Sequence, residues 1–174
     1  GIRDYKVTGV QTCALPISGF TLVPRFRDVH VGDVEAELCV VLGGPMSACA
    51  VPPLDYLAAE RDLLAERLRR GRPCLGICLG SQLLAAAAGA SVHRGRAGLE
   101  LGSLPIRWTA AARGDAVIGD DAPELCVAQW HEDTFSPVPG ATLLASSARY
   151  EQQVFRDRKS TRLNSSHLVI SYAV

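Results

Sequence analysis

Short apolar runs, separated by polar and turn-forming residues, divide the chain into predicted strands and helices. Five runs have the length and the aliphatic composition of buried β-strands. These runs lie at 37–42, 73–77, 104–109, 124–130 and 141–146. A Pro- and Gly-containing turn at 137–140 precedes the last run and marks where that strand begins.

Two helices are predicted in the first half of the chain. Leu57, Leu64 and Leu68 fall on one face at helical spacing, which predicts a helix over 54–70. A second helix is predicted from 80 to about 89, and its Leu- and Ala-rich composition is that of a buried helix. Alternating strands and helices predict parallel strands with helical crossovers, whereas the second half is richer in strands and turns.

Charged residues outside the candidate site have simple structural interpretations. Glu66 and Arg70 are spaced to form an i,i+4 pair on the first helix. The arginine-rich stretch at 67–70 is interpreted as a solvated helix end that complements the helix dipole. Glu100 falls in a predicted loop over 95–102, where an exposed carboxylate is expected, although it could orient a neighbouring group.

One strand-to-helix junction carries a candidate nucleophile. The sequence G-I-C-L-G-S-Q at 76–82 follows an apolar run and opens the second helix. A cysteine between two glycines can occupy a sharp turn that holds its thiol clear of the sheet. The helix N-terminus favours the thiolate, which is the nucleophilic form. The alternative interpretation of Cys78 is a buried cysteine in a glycine-containing turn.

A second glycine-rich junction favours the catalytic interpretation. The sequence G-G-P-M-S at 43–47 follows the first apolar strand. Ligands bind at the carboxyl ends of neighbouring parallel strands. A Gly-Gly backbone at that place can bring an N–H against a substrate oxygen, as an oxyanion hole requires.

Three motifs together resemble the class I, triad-type glutamine amidotransferases, most closely the stand-alone members similar to the glutaminase domain of GMP synthase. The motifs are L-G-G-P-M-S, R-P-C-L-G-I-C-L-G-S-Q-L-L-A and Q-W-H-E-D-T-F, in the family's order between about Val40 and Phe155. The resemblance implies a flavodoxin-like, three-layer α/β/α fold with a mostly parallel sheet, truncated at both ends in this chain. It also implies hydrolysis of the glutamine side-chain amide through a cysteine thioester, which supplies ammonia to a synthase or another acceptor. No metal or organic cofactor is implied.

The resemblance assigns roles to individual residues. Cys78 matches the nucleophile that attacks the glutamine amide. The backbone N–H groups of Gly44 and Leu79 match the oxyanion hole. Gln82 matches the residue that helps to hold bound glutamine.

The third motif is implied to bind substrate mainly through its backbone. Residues 130–133 match the segment that grips the α-amino and α-carboxylate groups of glutamine. Trp130 stands where several relatives have serine, so contacts from this side chain depart from the family pattern. His131 is expected to contact substrate or to support the structure.

The catalytic base of the family has no counterpart in the sequence. His131 could serve as base for Cys78, with Glu132 or Asp133 orienting it, by the logic of a catalytic triad. In the family, however, the histidine and its glutamate lie further on, in an F-H-P-E-like motif. No F-H-P-E occurs in the chain, and the later His167 lies in an unrelated sequence. Little or no glutaminase activity is therefore expected from this chain.

The two ends of the chain can be encoded by opposite strands of one DNA sequence. Residues 157–159 written as GAT CGG AAG have the reverse complement CTT CCG ATC, which encodes residues 15–17. Residue n pairs with residue 174 − n in this way through all of residues 1 to 17. The implied DNA resembles a sequencing adapter, so 1–17 and 157–174 are predicted to be non-native tails that carry no site. The amidotransferase domain is then expected over 18–156.

Composition excludes several functional classes. Within 18–156, 13 arginines and 16 acidic residues give a formal charge of −3, without the basic stripe of a nucleic-acid-binding protein. No apolar run approaches the roughly 20 residues of a membrane span. The cysteines have neither disulfide-framework nor zinc spacing, which favours a reducing cytoplasm. Cys39, Cys74 and Cys126 are expected to be small buried side chains within strands.

Two other kinds of protein stay open as alternatives. A dienelactone-hydrolase-like or DJ-1-like site would also place a cysteine on a G-x-C-x-G turn, but would not call for the 43–45 glycines together with Gln82. A non-catalytic member of the same family would keep the fold without the activity. No internal repeat or linker divides the 18–156 region.

Overall fold

Within its described residues, the computed structural model contains a nine-stranded sheet and two α-helices. The structure describes residues 5–8, 20–23, 36, 38–50, 55–115, 118, 125–157 and 167–170. The helices are α1 (Asp55–Arg69) and α2 (Leu79–Ala87), and a 3₁₀ turn spans Ala110–Ala112. The strands are β1 (Tyr5–Thr8), β2 (Phe20–Val23), β3 (Leu38–Val41), β4 (Cys74–Ile77), β5 (Val92–Arg94), β6 (Glu100–Trp108), β7 (Leu125–His131), β8 (Asp133–Phe135), β9 (Ala141–Ser146), β10 (Val154–Asp157) and β11 (His167–Ile170).

The large sheet changes from parallel to antiparallel along its width. Its strand order is β2-β1-β3-β4-β11-β10-β9-β6-β7. The strands from β2 to β11 pair in parallel, and those from β11 to β7 pair antiparallel. A separate antiparallel pair joins β5 to β8. The parallel part therefore holds the predicted strand–helix–strand–helix unit.

The registers of β3 and β4 bring the two glycine-rich junctions together. Cys39 pairs with Cys74, and Val41 pairs with Gly76. The carboxyl ends of both strands consequently lie side by side, as the sequence predicts. The 43–47 loop and the turn at Cys78 start from this common edge.

The main core lies between these parallel strands and the two helices. Leu57 and Leu64 of α1 belong to the same buried cluster as Leu83 and Leu84 of α2 and Val41 of β3. Residues 79–85 of α2 are all buried, which confirms the helix predicted to lie inside the protein. Each such aliphatic side chain contributes about 1.5–3 kcal/mol through burial, so this contact fixes α2 against the sheet.

Most of the predicted elements are confirmed, with boundaries shifted by a few residues. The runs at 37–42, 73–77, 104–109, 124–130 and 141–146 correspond to β3, β4, β6, β7 and β9, and positions 37, 54 and 124 lie outside the described residues. The short strands β5, β8 and β10 have no predicted counterpart. β6 begins at Glu100, inside the predicted loop.

Three predictions about single residues are wrong. Arg67 is fully buried rather than solvated, because its guanidinium donates to the carbonyls of Ala36 and Pro73. Glu100 is buried rather than exposed, since it lies in β6 and accepts hydrogen bonds there. Cys126 is exposed because it lies on the outward face of β7, whereas Cys39 and Cys74 are buried as expected.

Each predicted non-native tail contributes one short strand, and Asp157, the first residue of the second predicted tail, is the buried last residue of β10; the other tail residues lie outside the described residues. β1 pairs with β2 and β3, and β11 lies between β4 and β10. Ile170 aligns with Ile77, so His167 begins β11 about four residues, or roughly 13 Å, behind the level of Cys78. The register thus places the backbone of His167 at the other end of the strand, and the non-native origin of the tails stays a prediction.

Candidate active site

The backbone at Cys78 has the conformation of a sharp strand-to-helix turn. β4 ends at Ile77, α2 begins at Leu79, and Cys78 between them has φ 55° and ψ −115°. Among the described residues, it is the one non-glycine residue with positive φ. Such a conformation costs of order 1–3 kcal/mol and is found where function requires it. The thiol is therefore held in place by the packing on either side of it.

Two glycines allow this turn to pack against its own helix and against β3. A Cβ atom on Gly80 would lie 2.1 Å from the carbonyl oxygen of Val41. A Cβ atom on Gly76 would lie 2.6 Å from the carbonyl oxygen of Gly80. Neither position has room for a side chain. The G-x-C-x-G spacing is thus a packing requirement of the turn.

Two backbone N–H groups and burial act on the Cys78 thiol in opposite directions. Burial raises its pKa, while hydrogen bonds from the N–H groups of Leu79 and Gly44 lower it, and the balance is a raised pKa. The helix N-terminus was expected to favour thiolate outright, but desolvation outweighs its contribution here. The loop also approaches closely, because a Cβ atom on Gly43 would lie 3.1 Å from that of Cys78. The two predicted oxyanion-hole N–H groups therefore meet at the sulfur.

Asp133 links the three sequence motifs. Its carboxylate accepts a short hydrogen bond from the hydroxyl of Ser47, in the first motif. Its backbone carbonyl accepts from Nε2 of Gln82 at 3.4 Å, in the second motif, and from Nδ1 of His131 at 3.1 Å, in the third. Gln82 itself is buried at the base of α2. Gln82 and the 130–133 segment are thus brought together, as the substrate-binding prediction requires.

His131 belongs to a buried polar cluster. Its Nε2 lies 3.2 Å from a carboxylate oxygen of Glu100 and 3.3 Å from Nε2 of Gln153. Its ring also contacts Tyr150, with 5.4 Å between centroids. Since Nδ1 faces the Asp133 carbonyl, both ring nitrogens are engaged by groups other than the Cys78 thiol. The carboxylate beside the ring is that of Glu100, not that of Glu132 or Asp133.

The side chain of Trp130 points away from that cluster. Successive residues of a strand face opposite sides, and Trp130 is 61% exposed whereas His131 faces inward. Its cross-strand neighbour Leu101 is 62% exposed. Glu132, two residues after Trp130, forms an exposed ion pair with Arg94 at 2.8 Å. The Trp130 side chain is therefore separated from the Gln82–Asp133 contact.

For Asp133 the sequence predicts only orientation of His131 or a backbone contact with substrate, and it predicts no role for the side chains of Ser47 and Gln153. The side chains of Ser47 and Asp133 and the amide of Gln153 carry the hydrogen bonds that join the motifs. Antiparallel pairing of β6 with β7 would have indicated the Glu100–His131 contact, because it places these two residues opposite each other on one face of the sheet. The antiparallel register that creates this pair was not predicted.

The described part of the chain offers neither a metal site nor a membrane span. No group of three or more His, Cys, Asp or Glu side chains within it is arranged to hold a metal ion. Neither of the helices in the described ranges is long and apolar enough to cross a bilayer.

Fold and site together define a cysteine-turn α/β protein, and comparison with known proteins gives its family. The model of the family described as glutamine amidotransferase class-I matches residues 20–161. The chain therefore belongs to the class I glutamine amidotransferases, which confirms the resemblance and the flavodoxin-like α/β fold class.

Individual relatives agree with this assignment. The chain is 34% identical over 123 residues to the glutamine amidotransferase-like protein YfeJ of Salmonella typhimurium, covering 69% of this chain and 51% of that protein. It is 30% identical over 116 residues to one subunit of the glutamine-hydrolyzing GMP synthase of Halobacterium salinarum, covering 66% and 56% respectively. The chain spans about half the length of the curated relatives it matches.

A solved structure resembles the fold over almost the whole chain. The crystal structure of a glutamine amidotransferase from Thermotoga maritima superposes with a TM-score of 0.75 at 28% sequence identity. The superposition covers 97% of this chain and 75% of the other.

Proposed function

We propose that the protein is a glutaminase domain whose site is built to bind glutamine, with Cys78 as its nucleophile. The supporting observation is the convergence of the Gly44 and Leu79 N–H groups, from two separate motifs, on the Cys78 thiol. In the proposed reaction the thiolate attacks the side-chain amide carbon of glutamine. Gly44 and Leu79 then donate hydrogen bonds to the oxyanion of the tetrahedral intermediate.

The remaining steps release ammonia and regenerate the thiol. The carbon–nitrogen bond breaks as the nitrogen takes up the proton that the Cys78 thiol gave up on forming the thiolate, so that ammonia leaves and a glutamyl thioester remains on Cys78. Water then attacks the thioester, the carbon–sulfur bond breaks, and glutamate leaves with the thiol restored. The backbone of 130–133 would hold the α-amino and α-carboxylate groups, with Gln82 assisting, while His131 supports this segment and the Trp130 side chain stays outside.

The ammonia would pass to a synthase or another acceptor; one relative is by name a subunit of a glutamine-hydrolyzing GMP synthase, which supports this proposal. No metal or organic cofactor takes part in this scheme, and we propose that it operates in the cytoplasm. Because the sequence contains no F-H-P-E and His131 is engaged elsewhere, we expect little or no turnover from this chain. Formation of a covalent bond at Cys78 needs only the thiolate and a bound electrophile.

Covalent labelling tests the proposal without requiring turnover. A chloroketone analogue of glutamine should alkylate Cys78 with loss of chloride, and intact mass with peptide mapping identifies the labelled thiol. Free glutamine should protect Cys78 against both the chloroketone and iodoacetamide, because bound glutamine covers the thiol, but only the chloroketone should show a labelling rate that saturates with its concentration. Cys49→Ser should label like the wild type, and Cys78→Ser should not label at this site. Equal labelling of Cys49 and Cys78, or no protection by glutamine, contradicts the proposal.

Turnover measurements separate the alternatives. Release of ammonia from glutamine at a robust rate, abolished by both Cys78→Ser and His131→Ala, would make His131 the base. Ester hydrolysis without glutamine protection would favour a dienelactone-hydrolase-like reaction. Failure to bind glutamine with the fold intact would favour a non-catalytic family member.

A further inference from the structure

We propose that Asp133 is a positioning residue whose carboxylate, through Ser47, holds the 43–47 loop against the Cys78 turn. This inference rests on the proposed function and extends it to a residue outside the nucleophile and the oxyanion hole. It follows from three sets of contacts.

The first set of contacts shows that the position of the 43–47 loop determines the surroundings of the Cys78 thiol. Gly43 packs against Cys78, with 3.5 Å between its virtual Cβ and the sulfur. The Gly44 N–H donates to the same sulfur. Because hydrogen-bond strength falls steeply with distance and angle, a small displacement of this loop would remove one of the two N–H groups from the site.

The second set shows what ties the loop at its other end. The backbone over 42–47 belongs to no helix or strand. Ser47 donates its hydroxyl to the Asp133 carboxylate and accepts from the backbone N–H of Cys49 at 3.3 Å. The Cys49 thiol lies 3.6 Å from the same carboxylate oxygen. Met46 and Ala48 add apolar contacts with the core. These contacts hold the loop against the core, while the Ser47–Asp133 hydrogen bond fixes its orientation.

The third set shows that Asp133 is itself fixed. Its carbonyl accepts from Gln82 of α2 and from His131 of β7, and β8 pairs it with Arg94 of β5. A carboxylate anchored in this way can hold a loop whose own backbone bonds are few. A hydrogen bond to a charged acceptor is also about twice as strong as a neutral one.

The thiol itself provides the measurement. The rate of Cys78 alkylation by iodoacetamide should be followed against pH, and labelling by the glutamine chloroketone against its concentration. Asp133→Ala and Ser47→Ala should each slow chloroketone labelling at saturation by about tenfold, which is less than the roughly 10²–10³-fold cost of removing an oxyanion-hole donor outright, since each variant displaces the Gly44 N–H without deleting it. Each should also move the pH profile of iodoacetamide alkylation to higher pH. A role confined to folding would change neither profile in the folded fraction.

Further variants make the result specific. Asp133→Asn keeps an acceptor oxygen for Ser47 and should recover most of the rate. The double variant of Ser47→Ala with Asp133→Ala should be no slower than either single variant, because both remove one interaction. Asp62→Asn, the same chemical change at an exposed position of α1, should match the wild type. If Asp133→Ala does not fold, Ser47→Ala and Asp133→Asn carry the test.

Two outcomes overturn the proposals separately. Glutamine-protected labelling of the wild type, with unchanged rates and pH profiles in Asp133→Ala and Ser47→Ala, refutes the positioning role and leaves the proposed function intact. Absence of glutamine protection in the wild type refutes the proposed function. The iodoacetamide pH profiles then still decide whether Asp133 acts on the thiol.

Discussion

Replacing Gly80 by alanine sets two physical effects against each other at the start of α2. Alanine has the higher helix propensity, worth up to about 1 kcal/mol in a helix interior. The added Cβ would, however, lie 2.1 Å from the carbonyl oxygen of Val41 and 2.6 Å from its carbon. Because Val41 is buried in β3 and both contact atoms belong to its backbone, no side-chain rotation can relieve the clash.

The cost can be worked from these distances. Carbon–oxygen contacts are ordinarily no shorter than about 3.3 Å, so α2 and β3 must separate by about 1 Å. Overpacking of a well-packed core costs about 1–3 kcal/mol, and rigid backbone neighbours place this site at the upper end. After the propensity gain, the free energy of unfolding should fall by about 2 kcal/mol. For a chain of this size the melting temperature should then fall by roughly 4–8 °C.

Thermal unfolding followed by circular dichroism measures this shift. Gly102→Ala is the matched control, since no atom lies within 4 Å of its added Cβ and its φ of +117° leaves only backbone strain. We expect Gly102→Ala to lower the melting temperature less than Gly80→Ala. A melting temperature for Gly80→Ala equal to or above that of the wild type would refute the close approach of α2 to β3.

Three further measurements test other parts of the structure. Arg67→Ala should lower the free energy of unfolding by about 2–4 kcal/mol, because it removes the charged donor to the carbonyls of Ala36 and Pro73, whereas Arg69→Ala should change it little; equal effects in urea unfolding would contradict the buried guanidinium. Burial raises the pKa of the Cys78 thiol, so its alkylation rate should still rise above pH 9, and a plateau below pH 9 would be incompatible with this. Hydrogen bonds from Arg69 and Arg70 lower the pKa of the Glu66 carboxyl to about 2. The contribution of this carboxylate to stability should therefore persist below pH 4.5, the usual pKa, and be lost as the pH falls through about 2. An NMR titration midpoint of Glu66 near 4.5 would contradict these two hydrogen bonds.

The leucine spacing of α1 predicted the helix but misassigned its arginines. Leu57, Leu64 and Leu68 identified the buried face correctly. Arg67 lies three residues after Leu64 and therefore on the same face, but the charge of an arginine usually indicates exposure. The carbonyls of Ala36 and Pro73, just before β3 and β4, accept hydrogen bonds from the guanidinium and make its burial stable. Such partners come from distant segments and are not visible in a local pattern.

In the candidate active site, too, local features could be predicted from the sequence and long-range contacts could not. The G-x-C-x-G spacing and the Gly-Gly pair predicted a turn, a thiol and a nearby loop, because these are local features of backbone geometry. The link from Ser47 to Asp133 joins residues 86 positions apart, and the Glu100–His131 pair depends on how β6 aligns with β7. Long-range registers of this kind follow from the assembled sheet. The short strand β10 was missed because its four residues carry no clear alternation.

The buried polar cluster around His131 has a consequence for the pairing of β6 and β7. Hydropathy alone would turn Cys126 and Trp130 inward and Gln129 and His131 outward, which is a slip of one residue. In that slipped alignment Gln153 and Glu100 would lose their partners on β7 and remain buried without them. Loss of these hydrogen bonds to β7 opposes the gain from burying Trp130. The cluster therefore stabilises the observed register of β6 and β7. It also fixes the position of the backbone that continues from β7 into Asp133.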